Sequence, residues 1–525
     1  MQLKDFAEIE KATKSGRKEF FRLGLGLIFV VCVMLYAVLG VGAKGPQGIM
    51  LVMAAMIGGY MAMNIGANDV ANNVGPAVGS RSITMTGAIV LAAIFEVAGA
   101  LIAGGDVVST IRGGIIKPEA IADTSRFIWV MTAALLAGAL WLNFATAIGA
   151  PVSTTHSIVG AVLGAGVMAG GLDAANWGTL SGIVASWVVS PVLGGLVAAG
   201  FLLWIKRAIT YKPDMVGAAQ RTVPLLIGLM AFAFATYLIL KGLNKVWKTD
   251  FLTATLVGLA IGVLTWMLMR ASVRRRAANL SNTKESINSL FTVPLICAAA
   301  LLSFAHGAND VANAIGPLAA ITDVVLSGGH QVSDSAGIPF WVMMVGAVGI
   351  ALGLGLYGPK LIRTVGGEIT ELDQMRAFSI AMSAAVTVII ASQMGLPVSS
   401  THIALGGVFG VGFLREFIKT NYSQMLDEIK SHHLGDDKEM VSRYLNDFAK
   451  ADVKSKRIML EQLKARTAEA HLSKSERKQM RKVYRQELVK RSAVFKIAAA
   501  WIITVPASAL MAAGIYFVMV AVAQP

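Results

Sequence analysis

Long apolar runs separated by short polar loops make up most of this chain. Runs near or above the roughly 18–20 residues needed to cross a bilayer occur at 21–42, 83–104, 127–147, 177–205 and 251–269. Further runs lie near 222–240 and from about 289 onward, and a last one covers about 493–522. The pattern predicts an all-α polytopic membrane protein. Between 416 and 491 it changes: the chain is charged, rich in helix formers and poor in Gly and Pro, which predicts a helical insert outside the membrane.

Composition agrees. The 525 residues are 55% hydrophobic and 15% charged, far from the roughly 25% charged residues of soluble domains. A net charge of +15 does not imply a nucleic-acid partner, because Lys and Arg cluster in the loops between apolar runs, as the positive-inside rule requires. That rule places 1–22, 206–221, 270–288 and 416–491 in the cytoplasm and the C-terminus outside. Cys32 and Cys297 lie in or beside apolar runs and imply no disulfide framework. The N-terminal run lacks a small-x-small cleavage pattern and reads as a retained span.

Two motifs recur. Gly66-Ala67-Asn68-Asp69-Val70-Ala71-Asn72-Asn73-Val74-Gly75-Pro76 returns 241 residues later as Gly307-Ala308-Asn309-Asp310-Val311-Ala312-Asn313-Ala314-Ile315-Gly316-Pro317, identical at nine of eleven positions. Gly149-Ala150-Pro151-Val152-Ser153-Thr154-Thr155-His156 returns 246 residues later as Gly395-Leu396-Pro397-Val398-Ser399-Ser400-Thr401-His402. Two unrelated motifs in the same order at nearly the same offset mark a duplication. The division is a basic tail with an extra span (1–46), a first repeat (47–205), a two-span linker (206–288), the first part of a second repeat (289–415), the charged insert (416–491) and a closing span (492–525). The loop charges make the copies inverted. Inverted repeats with Gly- and Pro-interrupted apolar segments predict a secondary transporter with broken helices and re-entrant helical hairpins, its site near the midplane.

A carboxylate inside an apolar span is costly and marks a candidate site. Asp69 and Asp310 hold matched positions, with Asn68 and Asn309 before them. Asn72 and Asn313 stand three residues on, on the same helical face. Gly66 and Gly75 are expected to unwind the backbone and free carbonyls. Carboxylate, amide and carbonyl oxygens suit a hard cation such as sodium. In the second motif, Pro151 and Pro397 disfavour helix before them. Ser153, Thr154 and Thr155, like Ser399, Ser400 and Thr401, then hold N-cap positions ahead of short apolar runs at 158–170 and 403–414. Two such helix ends suit an anion, phosphate among them. No Lys or Arg lies within 64–76, 149–160, 305–317 or 395–406, so two carboxylates and an anion require cations beside them. That predicts cotransport.

Other ionisable residues are secondary. Glu96 lies in an apolar span with no counterpart in the second copy and is a coupling candidate, as are His156 and His402, which either relay protons or make local hydrogen bonds. His306 stands where the first copy has Ile65 and falls outside the shared pattern. Arg81 reads as an interfacial anchor.

The paired Gly-Ala-Asn-Asp-Val-Ala-Asn and Pro-Val-Ser-Ser/Thr-Thr-His segments resemble the signature of the inorganic phosphate transporter (PiT) family, over 47–205 and 289–522. The Gly-Ala-Asn-Asp form resembles the branch that is largely sodium-coupled. The resemblance implies symport of phosphate with sodium across the plasma membrane (the inner membrane in a Gram-negative cell), with no other cofactor, by a homodimer. It assigns cation ligation to Asn68, Asp69, Asn72, Asn309, Asp310 and Asn313. Phosphate falls to Ser153–Thr155 and Ser399–Thr401 with Asp69 and Asp310. Glu96 matches an acidic position tied to phosphate transport in relatives. The second glutamate many relatives carry is missing from 378–394. The residues alone leave proton coupling, or sulfate or another oxyanion, as alternatives.

Overall fold

The computed structural model describes residues 3–42, 45–121, 123–148, 152–242, 249–327, 337–368, 372–431 and 491–523. Among these the chain is helical, apart from an isolated bridge between Ile116 and Ala175. Twelve helical stretches are long and apolar enough to cross a membrane. The protein is an all-helical polytopic membrane protein.

The helices follow the apolar runs. In chain order they are α1 (Leu3–Leu39), α2 (Gly45–Asn68), α3 (Val70–Gly79), α4 (Met85–Ala103), α5 (Gly105–Gly113), α6 (Thr124–Ile148), α7 (Thr154–Gly170), α8 (Trp177–Ile205), α9 (Met215–Lys241) and α10 (Phe251–Ala277). Then come α11 (Lys284–Asn288), α12 (Thr292–Leu326), α13 (Phe340–Glu368), α14 (Gln374–Gln393), α15 (Ser400–Ser431) and α16 (Arg491–Ala523). Side-chain caps set several starts by satisfying N–H groups with no helical partner. Thr84 accepts from the amide of Gly87, and Asp250 accepts from the amides of Leu252 and Thr253. Arg274, Arg275 and Arg276 fill the last turn of α10, where cations suit the helix dipole.

Helices from the two halves of the chain interlock. α2 packs on α13, α4 on α12, α7 on α16 and α8 on α15. Glycines make the first two crossings close. A Cβ at Gly66 would lie 1.9 Å from the carbonyl oxygen of Ile350, and one at Gly307 would lie 2.2 Å from that of Glu96. In a bilayer such contact replaces the hydrophobic drive that assembles soluble helices.

These contacts correct one expectation. Gly66 and Gly75 do not unwind the backbone: Gly66 lies within α2 and Gly75 within α3. Only Asp69 separates the two helices, and its amide still bonds the carbonyl of Ile65 at 2.9 Å. α12 runs unbroken through Asp310. Gly66 serves close packing instead.

A second correction concerns the run at 403–414. α7 has 17 residues and stays short, but α15 continues to Ser431. No Gly or Pro follows Leu414 in that stretch, so helix formers extend the helix beyond its apolar part. Residues 416–431 of the expected insert belong to α15, and its remainder, 432–490, lies outside the described residues, as do Gly149 to Pro151.

Candidate functional site

The site forms where the N-termini of α7 and α15 meet the aspartates of the Asn-Asp motifs. Each of these helices begins at a serine cap. Ser153 Oγ accepts from the amide of His156 at 3.1 Å, and Ser399 Oγ from that of His402 at 3.2 Å. The caps leave the next hydroxyls free to face inward. Thr154 Oγ1 donates to Asp69 Oδ2 at 2.7 Å, and Ser400 Oγ donates to Asp310 Oδ2 at the same distance.

Other bonds cross between the halves. Asn72 Nδ2 donates to Thr401 Oγ1 at 2.9 Å, and that hydroxyl donates onward to Asp69 Oδ1 at 2.9 Å. Asn313 Nδ2 lies 3.1 Å from both Thr154 Oγ1 and Thr155 Oγ1. Thr155 donates to the carbonyl of Val398 at 3.0 Å, joining the two hydroxyl segments directly. Asn68 and Asn309 brace the loops, and Asn68 Nδ2 also donates to Asp69 Oδ1 at 3.4 Å. Their amides bond the carbonyls of Val152, at 3.1 Å, and Leu396, at 3.2 Å, and fix the loops that lead into α7 and α15. All twelve of the motif residues proposed from sequence as ligands are buried.

Three buried acceptors have no donor among the described residues: Asn309 Oδ1, Asp310 Oδ1 and Asn313 Oδ1. A buried oxygen without a donor is costly, and three in one motif suit a cation. Ligand atoms of Asp69, Asp310 and His306 lie within 4.8 Å of one another.

His306 is the residue that sequence symmetry set aside. Its Nε2 lies 2.7 Å from Asp310 Oδ2, and its Nδ1 lies 2.8 and 2.7 Å from the two oxygens of Glu96. Asn73 Nδ2 also donates to Glu96 Oε1, at 2.7 Å. Glu96, without a counterpart in the second copy, thus has two partners. The available signal was a titratable residue inside an apolar span, four positions before Asp310 and so on its helical face. His306 also amends the charge balance. Counted as a cation, it offsets one of three carboxylates, so two negative charges remain before any anion enters.

His156 and His402 face another way. Their rings meet edge to face at a centroid separation of 4.4 Å, between the indoles of Trp187, 3.8 Å from His156, and Trp501, 3.7 Å from His402. No hydrogen bond links either ring to an aspartate among the described residues. Arg81 is exposed at the end of α3, in a left-handed conformation with φ of 59°.

Residues 65–512 match the sequence profile of the phosphate transporter family. A protein of Helicobacter pylori (strain ATCC 700392 / 26695) described as a phosphate permease is 53% identical over 521 residues, covering 98% of each chain. One of Haemophilus influenzae, described likewise, is 37% identical over 385 residues, covering 72% of this chain and 91% of its own. The solved structure titled "The sodium-dependent phosphate transporter" superposes with a TM-score of 0.73 at 31% identity, covering 90% of this chain and all of that one.

Proposed function

The chain belongs to the phosphate transporter family and is a membrane carrier, not an enzyme; we propose that it moves inorganic phosphate together with sodium, using the paired motifs as one site. The observation that carries this reading is the convergence of hydroxyls from both repeats on two buried carboxylates at two helix N-termini.

The geometry suggests how the ligands depend on each other. Thr154, Ser400 and Thr401 donate to Asp69 and Asp310. Sodium binding to the carboxylates, with Asn309 and Asn313 supplying amide oxygens, replaces those donors. The released hydroxyls then donate to phosphate, helped by the positive ends of α7 and α15. Anion without cation leaves the aspartates facing a like charge, and cation without anion leaves the hydroxyls unpaired. Each ligand therefore strengthens the other. In this reading 47–205 and 289–525 are inverted repeats, the hydroxyl segments are the tips of re-entrant hairpins, and the N-terminus is cytoplasmic. The neighbour whose title names sodium dependence supports the choice of cation.

The test is uptake of labelled phosphate into proteoliposomes at fixed pH, with sodium replaced by potassium or choline. Accumulation is expected to collapse without sodium and to resist excess sulfate. Full accumulation driven by an inward proton gradient alone overturns the sodium assignment, and effective competition by sulfate overturns the phosphate assignment. The proton reading has one observation in its favour: His306, bridged between Glu96 and Asp310, is the natural carrier of a proton beside the site.

A further inference from the structure

Among the described residues, α1, α2, α13 and the C-terminal end of α6 line a partly open cavity of about 850 Å³ with mostly apolar walls and a few polar groups. Glu19 and Arg22, at the start of the apolar part of α1, line it and pair with each other at 2.7 Å. Leu23, Gly26 and Leu27 make its α1 wall. Asn64 and Ala67 of α2 and Asn143 and Thr146 of α6 line it next to the transport motifs.

That last group adjoins the paired-motif site. Ala67 directly precedes Asn68 and Asp69, and Thr146 lies just ahead of the hydroxyl segment. What separates cavity from site is thin. Asn143 Nδ2 reaches Asn64 Oδ1 at 3.5 Å, and Asn68 Nδ2 bonds the carbonyl of Val152 at 3.1 Å. Thr146 Oγ1 is buried there with no partner among the described residues.

The surroundings of α5 look different, since this short helix packs on α12 and is tied down on several sides. Arg112 pairs with Asp323 of α12 at 2.8 Å, both nearly buried. Thr110 Oγ1 donates to the carbonyl of Gly395 at 2.7 Å. Lys241 of α9 pairs with Asp106. Ile111 packs so closely on Gly316 that a Cβ there would lie 2.6 Å from it.

We propose that this cavity is the vestibule through which phosphate and its cation pass between the site and the membrane face where α1 begins. Asn64, Asn143 and Thr146 form its polar inner end, and α1 is its outer wall. The proposal rests on the transport reading above. An oxyanion leaving the site meets the side-chain amides of Asn64 and Asn143 and the Thr146 hydroxyl first, and the Glu19–Arg22 ion pair at α1 afterwards. Alternating access needs a site open to one face at a time. Neutral amide contacts on this side open more readily than the buried ion pair and packed glycine under α5. All of α1 precedes the region matched to the family, which begins at residue 65.

The test is accessibility of a single cysteine. In a Cys32→Ser/Cys297→Ser background, Thr146→Cys is exposed to a membrane-impermeant thiosulfonate in intact cells and in inside-out vesicles. Modification is expected only from the face that carries the N-terminus, at least 5-fold slower under saturating phosphate and sodium, and it should block uptake. Thr110→Cys, under α5, should stay unmodified from both faces. If Thr146→Cys fails to insert, Gly26→Cys replaces it, since a Cβ there meets only Met63 at 3.7 Å. A cysteine at either position that takes up phosphate yet is never modified, or is modified equally fast with and without substrate, overturns the vestibule. Modification and its blockage by phosphate are read separately from uptake by the cysteine-free parent. If the cysteine-free parent takes up no phosphate while Thr146→Cys in that background still reacts from one face only, the phosphate reading falls and the one-sided path to the site stands.

Discussion

Where α2 crosses α13, Ile65 and Ile350 are fully buried, and the Cβ positions of Gly66 and Gly353 fall 1.9 Å from carbonyl oxygens of the facing helix. The crossing of α12 with α4 repeats that backbone geometry at Gly307 and Gly99, which meet the carbonyls of Glu96 and Phe304. The side chains there differ. His306 holds the place of Ile65, Glu96 that of Ile350, and across from them Asn73 stands where the second copy has Ala314. One crossing is an apolar contact. The other is a hydrogen-bonded polar cluster that ends on Asp310. Glycine alone determines how closely the helices approach, so the same scaffold tolerates either filling. The hydroxyl clamp needs both copies and is preserved in both. The polar cluster occurs once, and it gives Asp310 a titratable partner where Asp69 has hydroxyls and the Asn68 amide.

The largest effect that bears on this comparison is expected at the aspartates. Asp69→Asn and Asp310→Asn should each lower sodium-driven uptake by more than the roughly 10- to 100-fold typical of partners one step behind a metal ligand, with normal membrane insertion. Proteoliposome uptake measures this, and wild-type rates in either variant would remove that carboxylate from the cation site. Next come the hydroxyls. Thr154→Ala and Ser400→Ala each lose a hydrogen bond to a charged group, about 1.5–3 kcal/mol or roughly 10- to 100-fold. The two half-saturation concentrations for phosphate should rise together, and a rise in only one would break the equivalence of the repeats.

A smaller effect is expected at the polar crossing. Glu96→Gln and His306→Gln should weaken sodium activation by about 10-fold, read as a shift in the sodium half-saturation with phosphate held saturating. An unchanged sodium curve in both variants would reduce the cluster to packing. The smallest change belongs to its apolar twin. Ile350→Val should leave uptake as it is and lower stability by about 0.5–1.5 kcal/mol, visible as a modest fall in the unfolding temperature in detergent. A transport defect there would mean that both crossings take part in coupling.

Sequence by itself determined the membrane class, the duplication and the two motifs, because each depends on local chemistry: apolar length, a carboxylate where none is tolerated idly, hydroxyls after a proline. It could also tell that Ser153 and Ser399 would start helices, since a cap acts on amides within three residues. Only the tertiary structure decided how the motifs share their bonds. Thr401 serves Asp69, from the opposite repeat and more than three hundred residues away, and no local rule pairs them. The same holds for His306 and Glu96, each of which looks like an exception when its own copy is read alone. Their partnership exists because α12 and α4 cross at Gly307 and Gly99, and a buried charge is stable only where folding brings it a partner. Gly66 teaches the same lesson in reverse: a residue that permits unwinding in isolation permits close contact when a neighbouring helix fills the space.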